Sequence, residues 1–422
     1  MSGKDESAAK KKKAAQQKQI AENQMIAKAL KVTYHAACKA MDVKPQKTLV
    51  QSIDQAEDGV KVIDKVAFRD YTVSGRGVRA ICDVLAGYGL CKNLCFWHCN
   101  VGDEGVDAIC DLLKASTSPW SKGSKLALLE ITSDFDQPLL EAYPFHDTKC
   151  DFNLLPDEGG PAGVAVHKAD SKAAQLRSMD PITAFATLAA TRDGPIAPRA
   201  PELPGHNELV STCYAEGKIS LTGLERLGST LGRTGITLRV LVLDHNGIGD
   251  GGATMLCKGL RTCPSLRQLS LAYNGIGASG AQTVSALLWP TASPQLMMLN
   301  MQGNFLGDEG LIFMAKGIGA SGHLRAINLA MNRMGGNEIE PVRTFCEGMS
   351  ANNSLVRIDL GFNQFSTDQA REFLPVLVMK TNIKQFRFSS RIAREVADQL
   401  FSIIKKRNSK KKGKGGKKSK KK

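Results

Sequence analysis

Long apolar runs are what this 422-residue chain most plainly lacks. No stretch approaches the roughly 20 consecutive apolar residues that a membrane-spanning helix needs, and no apolar leader follows the charged start. A soluble, intracellular and reduced protein with no membrane insertion is therefore expected. Aromatic residues are scarce as well, at 6% with three tryptophans, so each one on a surface carries weight. Catalytic signatures are missing too. There is no phosphate-binding loop, no G-x-S-x-G elbow and no H-E-x-x-H pair. The expectation is a non-enzymatic protein with no cofactor. Eleven cysteines in a chain this long do not make a disulfide scaffold. Cys82, Cys110, Cys257 and Cys346 fall in segments with helical spacing, where reduced cysteine serves as a small apolar residue.

Charge is uneven. The net +15 divides into +12 from residues 405–422, which hold no acid, and +5 from residues 1–31, so the remainder carries −2. The basic character belongs to two ends flanking a near-neutral body.

That body is repetitive. LRVLVLDHNGIG from Leu238 returns as LRQLSLAYNGIG from Leu266, LMMLNMQGNFLG from Leu296, LRAINLAMNRMG from Leu324 and LVRIDLGFNQFS from Leu355. Asn246, Asn274, Asn304, Asn332 and Asn363 mark a period of 28 to 31 residues. A period in this range and the pattern L-x-x-L-x-L-x-x-N specify a leucine-rich-repeat solenoid: an α/β arc with parallel strands on the concave side and helices on the convex side. Leu241 and Leu243 point into the core, while Val240, Val242 and Asp244 point to the concave face. The asparagines form a structural ladder, each amide pairing turn backbone that would otherwise be buried unsatisfied.

Weaker units precede these. They begin at Ile63 with Tyr71 in the asparagine position, at Cys91 with Cys99 there, and at Leu126 with Asp134 at the turn. Leu209–Gly223 reads as one more degenerate unit, and IKQFRF from Ile383 as a closing one. Residues 60–134 and 209–390 thus form two blocks of repeats. Between them, residues 135–208 hold nine of the sixteen prolines, including Pro195, Pro198, Pro201 and Pro204. Asp180–Pro181 is a helix start within this insert. It is either a tolerated bulge or a docking element. Residues 1–59 form a basic helical cap in which Ile26, Leu30 and Tyr34 begin to cover the first repeat. Ile392, Val396, Leu400 and Ile403 give a closing helix over 391–404. The lysine-rich segment 405–422, with no apolar residue after Ile404, is expected to be disordered, as are the basic ends generally.

Cys91, Cys95, His98 and Cys99 are dense enough to suggest zinc. The register opposes it, because Cys91 takes a core position whereas Cys95 and His98 face the concave side; no metal is expected. The concave face offers a better site. Arg69, Trp97, His98, His245, Tyr273, Met298, Met331 and Phe362 share it with Asp70 and with small residues such as Ala67, Ser270, Ala272, Ala326 and Ala330. Large aromatic and thioether groups among small neighbours suit a protein partner; scattered apolar residues without a ligand are the alternative. The segment with Lys410, Lys411, Lys412, Lys420, Lys421 and Lys422 would attract any polyanion: acidic protein tails, anionic lipid or nucleic acid without sequence preference. A solubilising end is the other reading.

The repeats resemble the ribonuclease-inhibitor-like class, through their full helix per unit and N-x-I/L-G-x-x-G after the strand, over roughly residues 60–135 and 210–390. Tyr34, Cys38, Pro45 and Leu49 are similar to a short opening before the repeats of centriolar and ciliary members. VAFRDYTVSGRGV followed by LCFWHCNVGDEG, with Arg69, Tyr71 and Trp97, is similar to the first units of an axonemal family, leucine-rich repeat-containing protein seventy-one. That resemblance implies a scaffold of the cilium or flagellum axoneme, its lysine-rich end engaging acidic tubulin tails. A small-GTPase regulator like the Ran GTPase-activating proteins is the second reading, although those end in an acidic tail.

Overall fold

The computed structural model describes residues 2–59, 62–69, 72–88, 90–115, 126–132, 218–292, 294–389 and 392–412, with side chains from 13 to 407. Asp70, Tyr71, Asp134, the 135–208 insert with Asp180–Pro181, and Lys420 to Lys422 lie outside the described residues, as do the side chains of Lys410 to Lys412.

Among the described residues, nine strands form one parallel sheet in chain order. They are β1 (Lys65–Arg69), β2 (Asn93–Trp97), β3 (Leu128–Thr132), β4 (Val240–Val242), β5 (Gln268–Ser270), β6 (Met298–Asn300), β7 (Ala326–Asn328), β8 (Arg357–Asp359) and β9 (Gln385–Arg387). The helices are α1 (Ser2–Ala40), α2 (Lys47–Ala56), α3 (Gly75–Tyr88), α4 (Gly102–Ala115), α5 (Leu221–Leu231), α6 (Gly249–Leu260), α7 (Ala278–Ser285), α8 (Gly307–Ala320), α9 (Glu340–Ala351), α10 (Thr367–Met379) and α11 (Arg394–Lys412). The period has become geometry: Val240 pairs with Gln268, Gln268 with Met298, Met298 with Ala326 and Ala326 with Arg357. Alternate strand residues such as Leu241, Leu269, Leu299, Ile327 and Ile358 are buried against the helices.

β3 pairs directly with β4, Leu128 opposite Val240. Residues 209–217 of the expected degenerate unit at Leu209–Gly223 lie outside the described residues, and no strand of a separate unit stands between β3 and β4 in the sheet. Leu221 and its successors instead supply the helix of the β3 unit, α5 lying between α4 and α6. The long insertion therefore falls inside one repeat, between its strand and its helix. Asp103 of α4 holds the helix in register: its Oδ1 accepts the Ser220 backbone N–H at 2.8 Å, and Asp107 pairs with Arg226 at 2.8 Å. The same device recurs without an insertion. Asp250 Oδ1 accepts from Gly277 and Gly280 N–H at 2.6 and 3.0 Å, and Asp308 accepts from Gly335 and Gly336 at 2.7 and 2.8 Å. Each carboxylate sits where the next unit presents unpaired N–H groups.

The two ends are closed differently. At the start, Ala27, Leu30, Tyr34 and Cys38 of α1 are buried, and α1 packs on α3. Tyr34 Oη accepts the Gln46 N–H at 3.0 Å, which fixes the turn between α1 and α2. At the far end, Phe365 and Phe388 stack 5.0 Å apart, with Phe345, Phe373 and Phe386 around them. The closing helix runs past the expected end at Ile404, so Lys410, Lys411 and Lys412 lie in its last turn. Arg407 accounts for part of the extension. Its Nη1 donates to the carbonyls of Lys380 and Ile383 at 3.0 and 2.9 Å, capping the end of α10.

The asparagine ladder joins units as well as closing turns. Asn304 Nδ2 donates to Met301 O in its own unit and to Leu271 O in the preceding one, both at 2.9 Å. Its Oδ1 accepts the N–H groups of Asn274 and Ile276 at 2.9 and 3.1 Å. Asn274 repeats this against Asn246 and Leu243, and Asn363 against Asn332 and Leu329. Asn304→Ala and Asn274→Ala should each cost on the order of 1–3 kcal/mol by stranding buried backbone groups in two units. Unchanged denaturant midpoints in both would show that the ladder does not hold the turns.

Candidate functional site

The concave residues fall into rows set by strand register. Ala67, Cys95, Glu130, Val242, Ser270, Asn300, Asn328, Asp359 and Arg387 form the middle row. Arg69, Trp97 and Thr132 begin the next, which Asp244, Ala272 and Gln302 continue beyond the strand ends. Much of this floor is polar and bonded to itself. Asp244 Oδ1 accepts from Ser270 Oγ at 2.6 Å and from Ala272 N–H at 2.8 Å. Asn300 Nδ2 donates to Ser270 Oγ at 2.9 Å, and Asn328 Nδ2 to Gln302 Oε1 at 2.8 Å. Burial pushes the carboxyls of Asp244, Asp359 and Glu130 up; neighbouring donors oppose the shift in all three, the Trp97 indole and Cys95 thiol in Glu130, where Asp244 adds to it. The sequence showed the large groups on this face and missed the amide and hydroxyl floor.

The residue immediately before each ladder position has left-handed backbone. His98, His245, Tyr273, Met331 and Phe362 have φ of 55, 60, 55, 58 and 58°, and Gly303 has 70°. Their register supplies the cause. The N–H groups of His98, His245, Tyr273, Gly303 and Met331 donate to Thr132, Ala272, Gln302, Ala330 and Gly361 of the following unit, at 2.7 to 3.0 Å. This turns the side chains out along one rim of the arc. His245 and Tyr273 stack with ring centroids 4.4 Å apart. The Tyr273 ring then lies over Gly303, where any Cβ would come within 2.3 Å of it. Its hydroxyl accepts from Gln302 Nε2 at 2.6 Å and donates to Met331 Sδ at 3.5 Å. Five of the expected residues therefore share a rim rather than the strand face. The other three lie on strands: Met298, part-buried on β6 with Arg357 Nη2 3.7 Å from its sulfur, and Arg69, whose guanidinium lies 5.0 Å from the Trp97 ring centroid.

Two rim residues escaped the sequence reading. Arg333 sits 4.1 Å from the centroid of Phe305, which is 49% exposed. Phe305 follows its asparagine where Gly247, Gly275 and Arg333 follow theirs, and those three are left-handed while Phe305 is not. The turn differs there, and the ladder loses a bond: Asn332 Oδ1 is buried with no hydrogen-bond partner. A period of 30 residues in place of 28 was the available signal at the opposite edge. Its extra length forms the loop at Trp289, Pro290 and Pro294, which with His323 borders a cleft of about 330 Å³.

The cysteine–histidine quartet is taken apart by the fold. Cys91, Cys95 and Cys99 are buried, Cys99 Sγ donates to Trp97 O, and burial pushes the Cys91 thiol up to about 12. Among the described residues no three His, Cys, Asp or Glu side chains converge as a metal site, and no helix is long and apolar enough to cross a membrane.

Large side chains at positive φ are held against their own preference, by about 1 kcal/mol each. Met331→Gly should therefore be more stable than Met331→Ala by about 1 kcal/mol in paired unfolding curves. Phe305→Gly should restore the missing ladder bond and raise the midpoint by a similar amount, on the order of 1 kcal/mol; a lower midpoint would break the link between that residue and the gap.

A family model described as Leucine Rich repeat matches residues 98–110, 236–257 and 262–285. No curated protein matches. Among solved structures, the chain is similar to leiomodin-1 actin-binding site 2 (11% identity, TM-score 0.26, 38% of this chain and 75% of that one). It is also similar to the tropomodulin C-terminal domain of Caenorhabditis elegans (11%, 0.31, 46% and 97%). A third is an internalin of Listeria monocytogenes (13%, 0.29, 84% and 93%). With nine parallel strands at the repeat period among the described residues, an asparagine ladder between units and this match, the chain folds as a leucine-rich-repeat solenoid.

Proposed function

We propose that this protein is a non-enzymatic scaffold that holds a protein partner along its concave surface and left-handed rim. The observation that carries this is the rim itself. Glycine would fit all six positions without strain, yet only Gly303 is glycine, and there the space is taken by Tyr273. Backbone strain of this kind persists where surrounding structure enforces it, and it concentrates at binding surfaces. Phe305 adds a second case, an exposed aromatic at the turn where a ladder bond is missing. Half-buried aromatic and thioether groups in a line, with Phe305 and Arg333 exposed beside them, are what a protein interface uses as anchors.

The setting we infer is the axoneme of a cilium or flagellum, on the resemblance carried by Arg69, Tyr71 and Trp97. The lysine-rich end, with twelve basic residues after Ile404, is suited to the acidic tails of tubulin. Nucleic acid would be held by the same charges without sequence preference.

A tagged copy in a ciliated cell should stay on the axoneme after detergent extraction, and the Phe362→Ala, Met331→Ala double variant should be lost to the soluble fraction. A diffuse signal for the unaltered protein would overturn the axonemal setting. For the tail, the deletion to make is 413–422, which spares Arg407 and its cap on α10. Equal sedimentation with microtubules before and after that deletion would remove the tubulin contact.

A further inference from the structure

The concave floor at β2, β3 and β4 differs in kind from the amide floor beyond it. Glu130 sits mid-strand on β3, opposite Cys95 on one side and Val242 on the other. Asp244, two residues past Val242, continues that register beside Thr132. The two carboxyls are near enough for Asp244 to act on Glu130 through space. Asp244 is 5% exposed, and both of the hydrogen bonds it accepts, from Ser270 and Ala272, fall on Oδ1. Those donors are neutral. Lys65 of β1 acts on Glu130, and His245 on Asp244, only through space, and no ion pair among the described residues involves either acid. By contrast Asp359, the acid in the same row at the other end, has Arg387 at 3.5 Å.

Two further groups face the same spot. Thr132 is 9% exposed, and its Oγ1 has no hydrogen-bond partner. Leu129 and Ile131 fill the core side of β3, so Thr132 and Glu130 share the concave side. The indole N–H of Trp97 turns toward Glu130 without reaching hydrogen-bond geometry, and its ring already accepts the guanidinium of Arg69 at 5.0 Å. A buried and a half-buried carboxyl with no ion-pair partner among the described residues, an idle hydroxyl and an indole that stacks with guanidinium define the missing group. It is a cation with planar donors. A metal ion fits poorly, since only two carboxyls and one hydroxyl are available and no third His, Cys, Asp or Glu completes a set among the described residues.

We propose that Glu130, Asp244, Thr132 and Trp97 form a receptor for a basic side chain of the protein partner, arginine in preference to lysine. A guanidinium offers a fork of donors to a carboxylate and a flat face to the indole, whereas an ammonium offers neither the fork nor the face. Buried carboxyls that meet only neutral donors are costly, and an arriving cation removes that cost on binding. The site lies on the surface already proposed to hold a protein, and its occupancy rests on that role.

The test uses the full chain and a capped hexa-arginine peptide, with binding followed by fluorescence anisotropy at fixed salt. The dissociation constant should rise about tenfold in Glu130→Gln and severalfold in Thr132→Val. It should stay unchanged in Glu309→Gln, an exposed acid of α8 on the convex side. Capped hexa-lysine should bind more weakly than hexa-arginine to the unaltered protein. Circular dichroism of each variant separates lost binding from lost fold, and Thr132→Val keeps the test alive if Glu130→Gln unfolds. Equal losses in Glu130→Gln and Glu309→Gln would mean diffuse attraction and overturn the receptor, as would no binding of hexa-arginine at all. Axonemal retention that depends on Phe362 and Met331 but survives Glu130→Gln would overturn the receptor while the scaffold role stands.

Discussion

Every turn in this array must satisfy backbone groups that its own unit cannot reach, and the rest of the molecule follows from that constraint. A strand of three residues leaves most of its turn buried and without ladder partners. The asparagine of the next unit supplies the acceptor for two N–H groups, and its amide donates back across the boundary. The aspartates at 103, 250 and 308 do the same for the following helix. No unit is complete alone. Stability is then a matter of neighbouring pairs, which is why the ends need closure by α1 on one side and five phenylalanines on the other.

The same constraint produces the candidate surface. To donate across the boundary, the residue before each asparagine must turn its N–H toward the next unit, and that requires a left-handed backbone. Its side chain is thereby expelled along the rim. A solenoid built only for stability would put glycine at each such place. This one puts histidine, tyrosine, methionine and phenylalanine there. Structure and surface compete for the same positions, and the turn that carries Phe305 is the one where Asn332 Oδ1 goes unpaired.

The repeat pattern told most of the fold in advance, because inward leucines and turn asparagines are fixed by spacing that any reader of the chain can measure. The placement of Leu221 and its successors was not legible. A helix separated from its strand by an 88-residue interval (132 to 221) looks like a new unit, and only the pairing of Leu128 with Val240 shows that it belongs to β3. The candidate site divides similarly. Alternation along a strand identified Met298 and Trp97, but it could not place His245 or Tyr273 on a rim, since the left-handed turn breaks the alternation one residue before the asparagine. Phe305 and Arg333 were invisible for a related reason. They follow the asparagine, where the pattern predicts glycine or turn residues, and their meeting at 4.1 Å depends on the distance between adjacent units.

Polarity on the concave face also needs two readings. Gln302, Asn300, Asn328 and Ser270 bond to one another and are 2 to 8% exposed, so a partner gains little by replacing bonds already made. Buried amides of this kind hold neighbouring strands in register more than they recognise anything. Glu130 and Asp244 belong to the other class, because neither carboxyl has an ion-pair partner among the described residues and the hydrogen bonds that Asp244 accepts come from neutral donors. Where polar groups on a solenoid face are mutually satisfied, they are structure; where charge is left unanswered, the surface retains free energy for a ligand to release. By that criterion recognition here falls to the rim and to the acidic corner at β3 and β4, with the amide floor between them as the rigid base that keeps both in place.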